Sequence, residues 1–381
     1  MDFNLTEQQL EVQKLAREFA QNEIAPTVMK YDEAQEFPMD IAKKLGEIGF
    51  LGIIFPEEYG GSGFSTVEYA IIIEEISKVD PSLGLTIASH NGLCTNHIYS
   101  FANEELKKKY MPDLTSGTKL GAWGLTENVS GSDAAGMAST AVKNGDHYIL
   151  NGSKLFITQG AVGETAVVMA VTDKEKGSKG ISTFILEKGW DGFNVGKKEN
   201  KLGMRASDTA ELIFENVKVP AENLVGEEGE GFKQAMKILD GGRIAIAALS
   251  LGIAEGAFEA SLKYAKERKQ FNKALSEFQG IQFKLSDMAT DIEAAKLLVY
   301  KAAMDKDEGR PINLSAAIAK YFASEIATKA TNEAIQIHGG YGFMKEFPVE
   351  KLYRDVKLMT IGEGTSEVQK MIIARNVLEL F

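Results

Sequence analysis

Apolar residues in the first third of the chain recur at the three- and four-residue spacing of amphipathic helices. The pattern runs from Thr6 to about Ser116 and contains little of the alternation that is typical of strands. It begins with Leu10, Val12, Leu15, Phe19 and Ile24. The main interruption is FPEEYGGSGFS at 55–65, where glycines and a proline predict a turn. We therefore predict a helical domain over residues 1–119.

The pattern changes at about Leu120 to short runs that are rich in β-branched and aromatic residues. Asn-Gly pairs at 144–145 and 151–152 interrupt the first run, and this dipeptide is a strong hairpin signal. The runs ETAVVMAV, ISTFILEK and TAELIFENVKV continue the pattern. We expect a middle domain of antiparallel β structure over residues 120–230.

Helical spacing returns after Gly231. One long apolar stripe is formed by Ile281, Leu285, Met288, Ile292, Ala295 and Leu298. A stripe of this kind usually packs in a core, and a four-helix bundle over residues 231–381 would account for it. The sequence thus predicts an α+β protein with an N-terminal helical domain, a middle β domain and a C-terminal four-helix bundle.

Charge and cysteine content narrow the function classes. The chain has 42 Lys plus Arg against 54 Asp plus Glu, and it lacks the basic runs that bind nucleic acid. The single cysteine, Cys94, cannot form an internal disulfide, and the four histidines lack zinc-site spacing, so we interpret Cys94 and His338 as structural. The chain starts with polar residues and has no apolar run of about 18 residues, so we expect neither a signal peptide nor a membrane span. We expect a cytoplasmic protein.

The common cofactor and nucleophile motifs are missing. Three glycine-rich stretches, GGSGFS, GEGFKQ and GGYGFM, each lack the third glycine of GxGxxG, and no GxxxxGK[ST] occurs. These observations disfavour a Rossmann nicotinamide site and a P-loop. A histidine-based nucleophilic triad is also poorly supported, because no GxSxG elbow is present.

The stretch TIGEGTSEVQ places Glu363 between Gly362 and Gly364, directly before a predicted helix. Ser366 and Gln369 have the spacing of a capping box, which predicts that the helix begins there. Two interpretations of Glu363 stay open at this point. The acid could simply favour the positive end of the helix dipole. Alternatively, the glycines could let a flat substrate approach a carboxylate whose pKa is raised by burial, as a general base requires.

Five segments together resemble the acyl-CoA dehydrogenase family, in order and spacing. They are LTENVSGSD (125–133), FIT (156–158), ERKQF (267–271), QIHGGYGF (336–343) and EGTSEVQ (363–369). The resemblance covers essentially the whole chain and implies the three-domain fold described above. It also implies FAD, an acyl-CoA substrate, α,β-dehydrogenation, electron transfer to an electron-transferring flavoprotein, and a homotetramer.

The resemblance assigns roles residue by residue. Glu363 matches the catalytic base, and Gly242 stands where some members carry the base instead. Positions that match flavin contacts are Trp123, Leu125, Thr126, Phe156, Thr158, Arg268, Phe271, Gln279, Gln336, Gly339, Gly340, Thr365 and Glu367. Of these, Arg268, Phe271 and Gln279 match residues that reach the FAD of a neighbouring subunit. Positions that match contacts to the CoA thioester are Ser132, Asp240, Arg243 and Gly364.

Two departures from the family pattern affect the expectations. Gly362 replaces a tyrosine common beside the base, which implies a wider acyl pocket and a preference for short to medium chains that tolerates bulk near the reacting carbons. Asn128 replaces the usual proline of the LTEP motif and should change only turn stiffness.

The mechanism that the resemblance implies has Glu363 take the α-proton as the β-hydride passes to flavin N5. The enolate oxygen would be held by the Glu363 backbone N–H and a ribityl hydroxyl. A flavin oxidase, an enoyl-CoA reductase, and a non-catalytic acyl-CoA-binding protein remain alternatives.

Overall fold

Helices dominate residues 4–115, as predicted. The structure is a computed structural model and describes residues 4–379. Its first helices are α1 (Glu7–Phe19), α2 (Val28–Ala34), α3 (Met39–Glu47), α4 (Thr66–Ser77), α5 (Pro81–Ser89), α6 (Asn96–Phe101) and α7 (Glu104–Thr115). Local sequence fixes several of their starts: Thr6 forms a capping box with Gln9, and Asp80 caps α5 ahead of Pro81. The helix α4 is buried along its whole length.

A mixed sheet follows. Within the described residues it has seven strands: β1 (Gly121–Gly124), β2 (Thr140–Asn144), β3 (His147–Thr158), β4 (Thr165–Val171), β5 (Ile181–Glu187), β6 (Phe193–Lys198) and β7 (Thr209–Pro220). The strand order is β1-β4-β2-β3-β7-β6. Strand β5 lies outside this order and pairs with β4. Most pairs are antiparallel, as expected, but β4 runs parallel to both β1 and β2. The predicted fold class is confirmed, and the expectation of a wholly antiparallel sheet is wrong.

The two Asn-Gly signals have different outcomes. The pair at 144–145 is a hairpin turn, since Asn144 pairs with His147 and Gly145 has a φ of +65°. The pair at 151–152 lies inside β3, so the hairpin prediction there is wrong. Gly152 instead marks a register shift against β7, with a φ of +137°. A Cβ at Gly152 would lie 2.3 Å from the Oγ of Ser139, the residue just before β2, so glycine is required by this close approach.

Long helices return in the last third of the chain. They are α8 (Gly231–Glu267), α9 (Gln279–Asp307), α10 (Asn313–His338), α11 (Pro348–Asp355) and α12 (Ser366–Glu379). A short hairpin of β8 (Lys269–Gln270) and β9 (Lys273–Ala274) separates α8 from α9. Helices α8, α9, α10 and α12 pack together as the predicted bundle. The predicted stripe on α9 faces the core, where Met288, Ile292 and Ala295 are buried.

Helix α8 is the central element of the bundle. Among the described residues it alone is long and apolar enough to cross a membrane, with a mean hydropathy of 1.4 over its most apolar 18 residues. Of that window 83% is buried inside the protein, as in a core helix. It contacts α4, α5, α9 and α10, so both helical parts of the chain pack around it.

A buried group of charges connects the three parts of the chain just before the loop that contains Glu363. Lys351 on α11 donates to Asp80 at 2.7 Å and to Asp355 at 2.6 Å. Asp355 in turn accepts the backbone N–H of Met204 from the segment after the sheet strand β6. Because each charge is paired and hydrogen-bonded, this group can be buried, and it fixes the approach to the loop.

Candidate active site

The loop between α11 and α12 holds Glu363 in a left-handed backbone conformation. Glu363 has a φ of +52° and Gly364 a φ of +94°. Such φ values are uncommon for residues other than glycine and often mark functional sites. Gly364 is therefore required by the backbone. Gly362 is not, since the nearest atom to a Cβ built on it is the Leu358 carbonyl oxygen at 3.5 Å.

Buried donors hold the carbonyl groups of this loop. The Gln369 Nε2 donates to the carbonyl oxygens of Glu363 at 3.2 Å and Gly364 at 3.0 Å. The Lys320 Nζ, from α10, donates to the same Gly364 oxygen at 2.8 Å. Both side chains are fully buried. The strained loop is thus held at its backbone from the side opposite the solvent.

The helix begins at Ser366 as predicted, but the predicted capping box is wrong. Thr365 provides the cap, because its Oγ1 accepts the Val368 N–H at 3.3 Å. The Ser366 hydroxyl instead donates to Glu325 on α10 at 2.6 Å. Gln369 is used to hold the loop carbonyls. The other predicted residue of this helix, Glu367, is exposed.

The Glu363 carboxylate lies against Gly242 of α8. A Cβ at Gly242 would lie 2.1 Å from the Glu363 Oε2 and 3.3 Å from a methyl group of Leu93. That oxygen is buried and has no hydrogen-bond partner within residues 4–379. Burial raises the pKa of Glu363 to about 7, although Lys320 and Arg243 partly oppose the rise. A carboxyl group with a pKa near 7 can accept a proton at neutral pH.

Asp240 and Arg243 form an ion pair on α8, and they lie two residues before and one residue after Gly242, the position that faces Glu363. Asp240 also accepts the side-chain amide of Asn313 at 3.0 Å. Both residues lie inside the helix and not at its end. The Arg243 Nε is buried and without a partner among the described residues, so it is an open donor beside the carboxylate.

Trp123, Leu125 and Thr126 lie at the end of β1 and in the loop that follows. The Trp123 indole N–H donates to His97 at 3.0 Å, and the other ring nitrogen of His97 contacts Gln234 at 3.1 Å. Burial lowers the pKa of His97 to about 4, so it is neutral and serves to orient Trp123. The Leu125 and Thr126 carbonyls are both hydrogen-bonded, which fixes this loop.

A buried ion pair beneath this loop was missed in the sequence. Lys154 of β3 is fully buried and donates to Glu127 at 2.6 Å and to the Leu125 carbonyl at 3.1 Å. Glu127 also accepts the backbone N–H groups of Ala138 and Ser139. Burial lowers the pKa of Lys154 to about 8, and the pKa of Glu127 is lowered by the lysine despite its own burial. The sequence feature that could have indicated this ion pair is Lys154 itself, a single charged residue in the β run SKLFIT.

Phe156 and Thr158 lie where β3 loses its regular register against β7. Phe156 has a φ of +59° and is 62% exposed, so the strand turns a large aromatic side chain outward. Thr158 pairs with Thr209 at the end of the strand. Ser132 is exposed in the segment before β2. No contact in the described residues joins Ser132 to Glu363.

A second group of predicted residues lines a separate cavity of about 530 Å³ between α8 and the end of α10. The Arg268 guanidinium lies 5.4 Å from the ring centre of Tyr341. A Cβ at Gly339 or Gly340 would meet nothing within 4 Å, so their backbone is open to a ligand. A cation, an aromatic face and open glycine backbone fit part of a dinucleotide.

The remaining predicted residues are exposed at the protein surface. Phe271 is 88% exposed at the tip of the β8–β9 hairpin. Gln279, at the start of α9, and Gln336, near the end of α10, are also exposed. Within one chain they form no common site with the carboxylate. His338 stacks on Tyr264, its ring nitrogen contacts the Ala334 carbonyl at 2.8 Å, and it lines the cavity beside Arg268, so its structural role stays a prediction.

Comparison with known proteins identifies the family. Three family profiles match the chain: the acyl-CoA dehydrogenase N-terminal domain at residues 6–118, middle domain at 122–217 and C-terminal domain at 229–378. The short-chain specific acyl-CoA dehydrogenase of Clostridium acetobutylicum is 51% identical over 99% of this chain and 100% of its own.

Two further relatives are informative. The solved structure of butyryl-CoA dehydrogenase from Megasphaera elsdenii is 49% identical, with a TM-score of 0.98 over 99% of this chain and all of that chain. A subunit of the caffeyl-CoA reductase–Etf complex of Acetobacterium woodii is 44% identical over 98% of this chain and 99% of its own length.

Proposed function

Because the chain belongs to the acyl-CoA dehydrogenase family, we propose that it removes hydrogen from the α and β carbons of an acyl-CoA thioester to give the trans-2-enoyl-CoA. The observation that carries the proposal is the Glu363 carboxylate, whose buried Oε2 lies against Gly242 without a partner. A carboxylate with a buried, unpaired oxygen is costly, and a pKa of about 7 makes it an effective base at neutral pH.

Glu363 would accept the α-proton of the thioester. That proton is weakly acidic, so the reaction also needs donors for the charge that develops on the thioester oxygen. The backbone N–H of Glu363 makes no hydrogen bond to any part of the chain that the structure describes, and is available for this purpose. The open Nε of Arg243 is a second free donor beside the carboxylate. Glu363 thus offers both a base, its carboxylate, and a donor, its backbone N–H, to the same substrate.

We propose that the chain binds FAD, which supplies the acceptor for the β-hydrogen. Arg268, Gly339 and Gly340 would hold the dinucleotide arm, as their cavity suggests. Trp123, Leu125 and Thr126 would line the flavin end. The predicted contacts that remain are Phe156, Thr158, Phe271, Gln279, Gln336, Thr365 and Glu367. Because Phe271 projects into solvent, these contacts fit an assembly in which subunits complete one another's sites, and a homotetramer is proposed.

Butyryl-CoA and other short acyl-CoA thioesters are the proposed substrates. Two of the relatives are named for short-chain and butyryl substrates. Gly362 supports the same class, because a side chain there would meet only Leu358, at ordinary contact distances of 3.5 Å and more, and the glycine leaves that volume free beside Glu363. Ser132, Asp240, Arg243 and Gly364 stay proposals as contacts to the CoA thioester.

An electron-transferring flavoprotein is the proposed acceptor. The Acetobacterium relative is named as a subunit of a reductase–Etf complex. That name also makes reduction of an enoyl-CoA the second candidate, since a base that accepts the α-proton can return it. We propose a cytoplasmic location for either direction of the reaction. The proposal rests on Cys94, the single cysteine of the chain, which is buried and free.

The test is anaerobic mixing of the purified yellow protein with butyryl-CoA. We expect the flavin absorbance to bleach, and we expect subsequent addition of electron-transferring flavoprotein to restore it. A panel of acyl-CoA thioesters compared by kcat/KM then defines the substrate. Crotonyl-CoA added to the chemically reduced protein measures the reverse direction. A protein that stays colourless when supplied with FAD, or stays yellow with every thioester, would contradict the proposal.

A further inference from the structure

Lys320 is a fully buried cation next to the proposed base, and the resemblance assigned it no role. It lies on α10 among Ala316, Ala317, Ala319 and Ala323, which are themselves buried. Its Nζ donates to the Gly364 carbonyl oxygen at 2.8 Å. Burying an ammonium group is costly unless it is paired or hydrogen-bonded, so this position needs an explanation beyond packing.

Gln369 provides an internal comparison. Its Nε2 donates to the same Gly364 oxygen at 3.0 Å, and to the Glu363 carbonyl oxygen at 3.2 Å. Both donors are buried and both hold the loop. They differ in that Lys320 carries a charge and Gln369 does not. Comparing substitutions of Lys320 and Gln369 therefore separates the effect of the hydrogen bond from the effect of the charge.

The charged and titratable groups around Glu363 and Lys320 come from four helices. They are Lys320 and Glu325 on α10, Arg243 with its partner Asp240 on α8, Tyr69 on α4, and Glu367 on α12. Lys320 makes the largest opposing contribution to the raised pKa of Glu363, and its own pKa is lowered to about 8 by burial. Arg243 is already paired with Asp240. Lys320 is thus the cation whose charge is most available to the carboxylate.

We propose that Lys320 is a positioning residue for the reaction: its hydrogen bond holds the Gly364 carbonyl so that Glu363 stays against Gly242, and its charge favours the ionised carboxylate. The inference rests on the proposed function of Glu363 as base. It assigns the two parts of this task to one atom, the Nζ of Lys320, while Gln369 contributes only to the first part.

The first experiment compares Lys320→Met with Gln369→Met, since each substitution keeps an unbranched side chain and removes one donor to the same oxygen. Flavin reduction by butyryl-CoA is followed anaerobically between pH 5.5 and 9. We expect the midpoint of the rate profile to rise by about one pH unit or more in Lys320→Met, because an opposite charge near a carboxylate shifts its pKa by that amount. We expect Gln369→Met to lower the rate without moving the midpoint.

Lys320→Arg keeps the charge and should return the midpoint to within about 0.3 pH units of the wild-type value, even if its bulk lowers the rate. Flavin content and helix content are measured first. Should Lys320→Met fail to fold, Lys320→Gln replaces it, because Gln is also uncharged and can still donate. A wild-type midpoint in the uncharged variant would overturn the proposal, and so would an equal shift in Gln369→Met.

A second readout does not depend on catalysis. Infrared difference spectra of wild type against Glu363→Gln isolate the protonated carboxyl band of Glu363, and its intensity against pH titrates that group. The same difference in a Lys320→Met background should titrate about one pH unit higher or more. A shift seen here without any flavin reduction would sustain the role of Lys320 and contradict the proposed function. Normal flavin reduction without a shift in the Glu363 titration would support the proposed function and contradict the role of Lys320.

Discussion

Replacing Gly242 by alanine should displace the proposed base while leaving the fold intact. The added Cβ would lie 2.1 Å from the Glu363 Oε2, far inside van der Waals contact. The loop backbone cannot easily yield, since Lys320 and Gln369 hold its carbonyl groups. The carboxylate must therefore retreat by about 1 Å, and a displacement of that size at a reacting group costs on the order of 100-fold in rate.

Gly241→Ala is the matched control. It lies one residue earlier on α8, and its Cβ would meet only the flexible end of Lys306, at 3.1 Å. Both substitutions gain about 1 kcal/mol of intrinsic helix propensity, so a general effect on the helix would appear in both. We expect flavin reduction by butyryl-CoA to fall by about 100-fold in Gly242→Ala and by less than about threefold in Gly241→Ala.

The assay is stopped-flow flavin bleaching without oxygen, with the spectral shift on ligand binding recorded separately. Acyl-CoA affinity should change little in either variant, because the substitution moves the base and leaves the backbone donors in place. If Gly242→Ala reduces its flavin as fast as Gly241→Ala does, then the carboxylate position against α8 is not the one used in catalysis.

Three further outcomes are expected. Burial raises the pKa of Glu363 from 4.5 to about 7, so its ionisation opposes folding as pH rises through that range. Glu363→Gln should therefore be more stable than wild type at pH 8.5 by at most about 3 kcal/mol, with little difference near pH 5, in urea unfolding at fixed protein concentration. Arg268→Ala should weaken FAD retention by about tenfold or more at unchanged helix content, and full retention by a monomer would contradict the shared site. Gly362→Tyr should fold, because a Cβ there meets no atom closer than 3.5 Å. It should lower kcat/KM for branched thioesters more than for butyryl-CoA. An equal loss for both substrates would refute the steric argument.

The periodicity of the sequence was sufficient for the fold class, because burial of apolar faces decides helix and strand over long segments. It was insufficient where tertiary contacts decide. Asn144 and Asn151 precede glycine alike, yet only the first forms a hairpin, since at the second Gly152 lets β3 pass close to Ser139. The parallel pairs of β4 likewise depend on long-range order. The division at residues 119/120 and 230/231 stays a prediction.

The local pattern left two interpretations of Glu363 open, and the family resemblance is what singled it out as the base, but the buried donors Lys320 and Gln369 that hold its loop were not predicted. Gly242 lies 121 positions before Glu363, and only the packing of α8 brings them together. Lys320 could have been suspected, because it is a lone charge on an alanine-rich helix face. Gln369 was assigned to a capping box because the spacing fits one, whereas the cap is Thr365. Spacing alone cannot tell which of two polar partners a side chain will choose.

The measurement that tests the central claim most directly is the rate of flavin reduction in Glu363→Gln, mixed anaerobically with butyryl-CoA. Glutamine keeps the volume and the hydrogen-bonding end of the side chain but cannot accept the α-proton. We predict that acyl-CoA still binds, as seen in its spectral shift, while reduction slows by at least about 100-fold and the pH dependence near 7 disappears from the residual rate. Reduction within about threefold of the wild-type rate, where loss of a base should cost at least about 100-fold, would show that the base lies elsewhere.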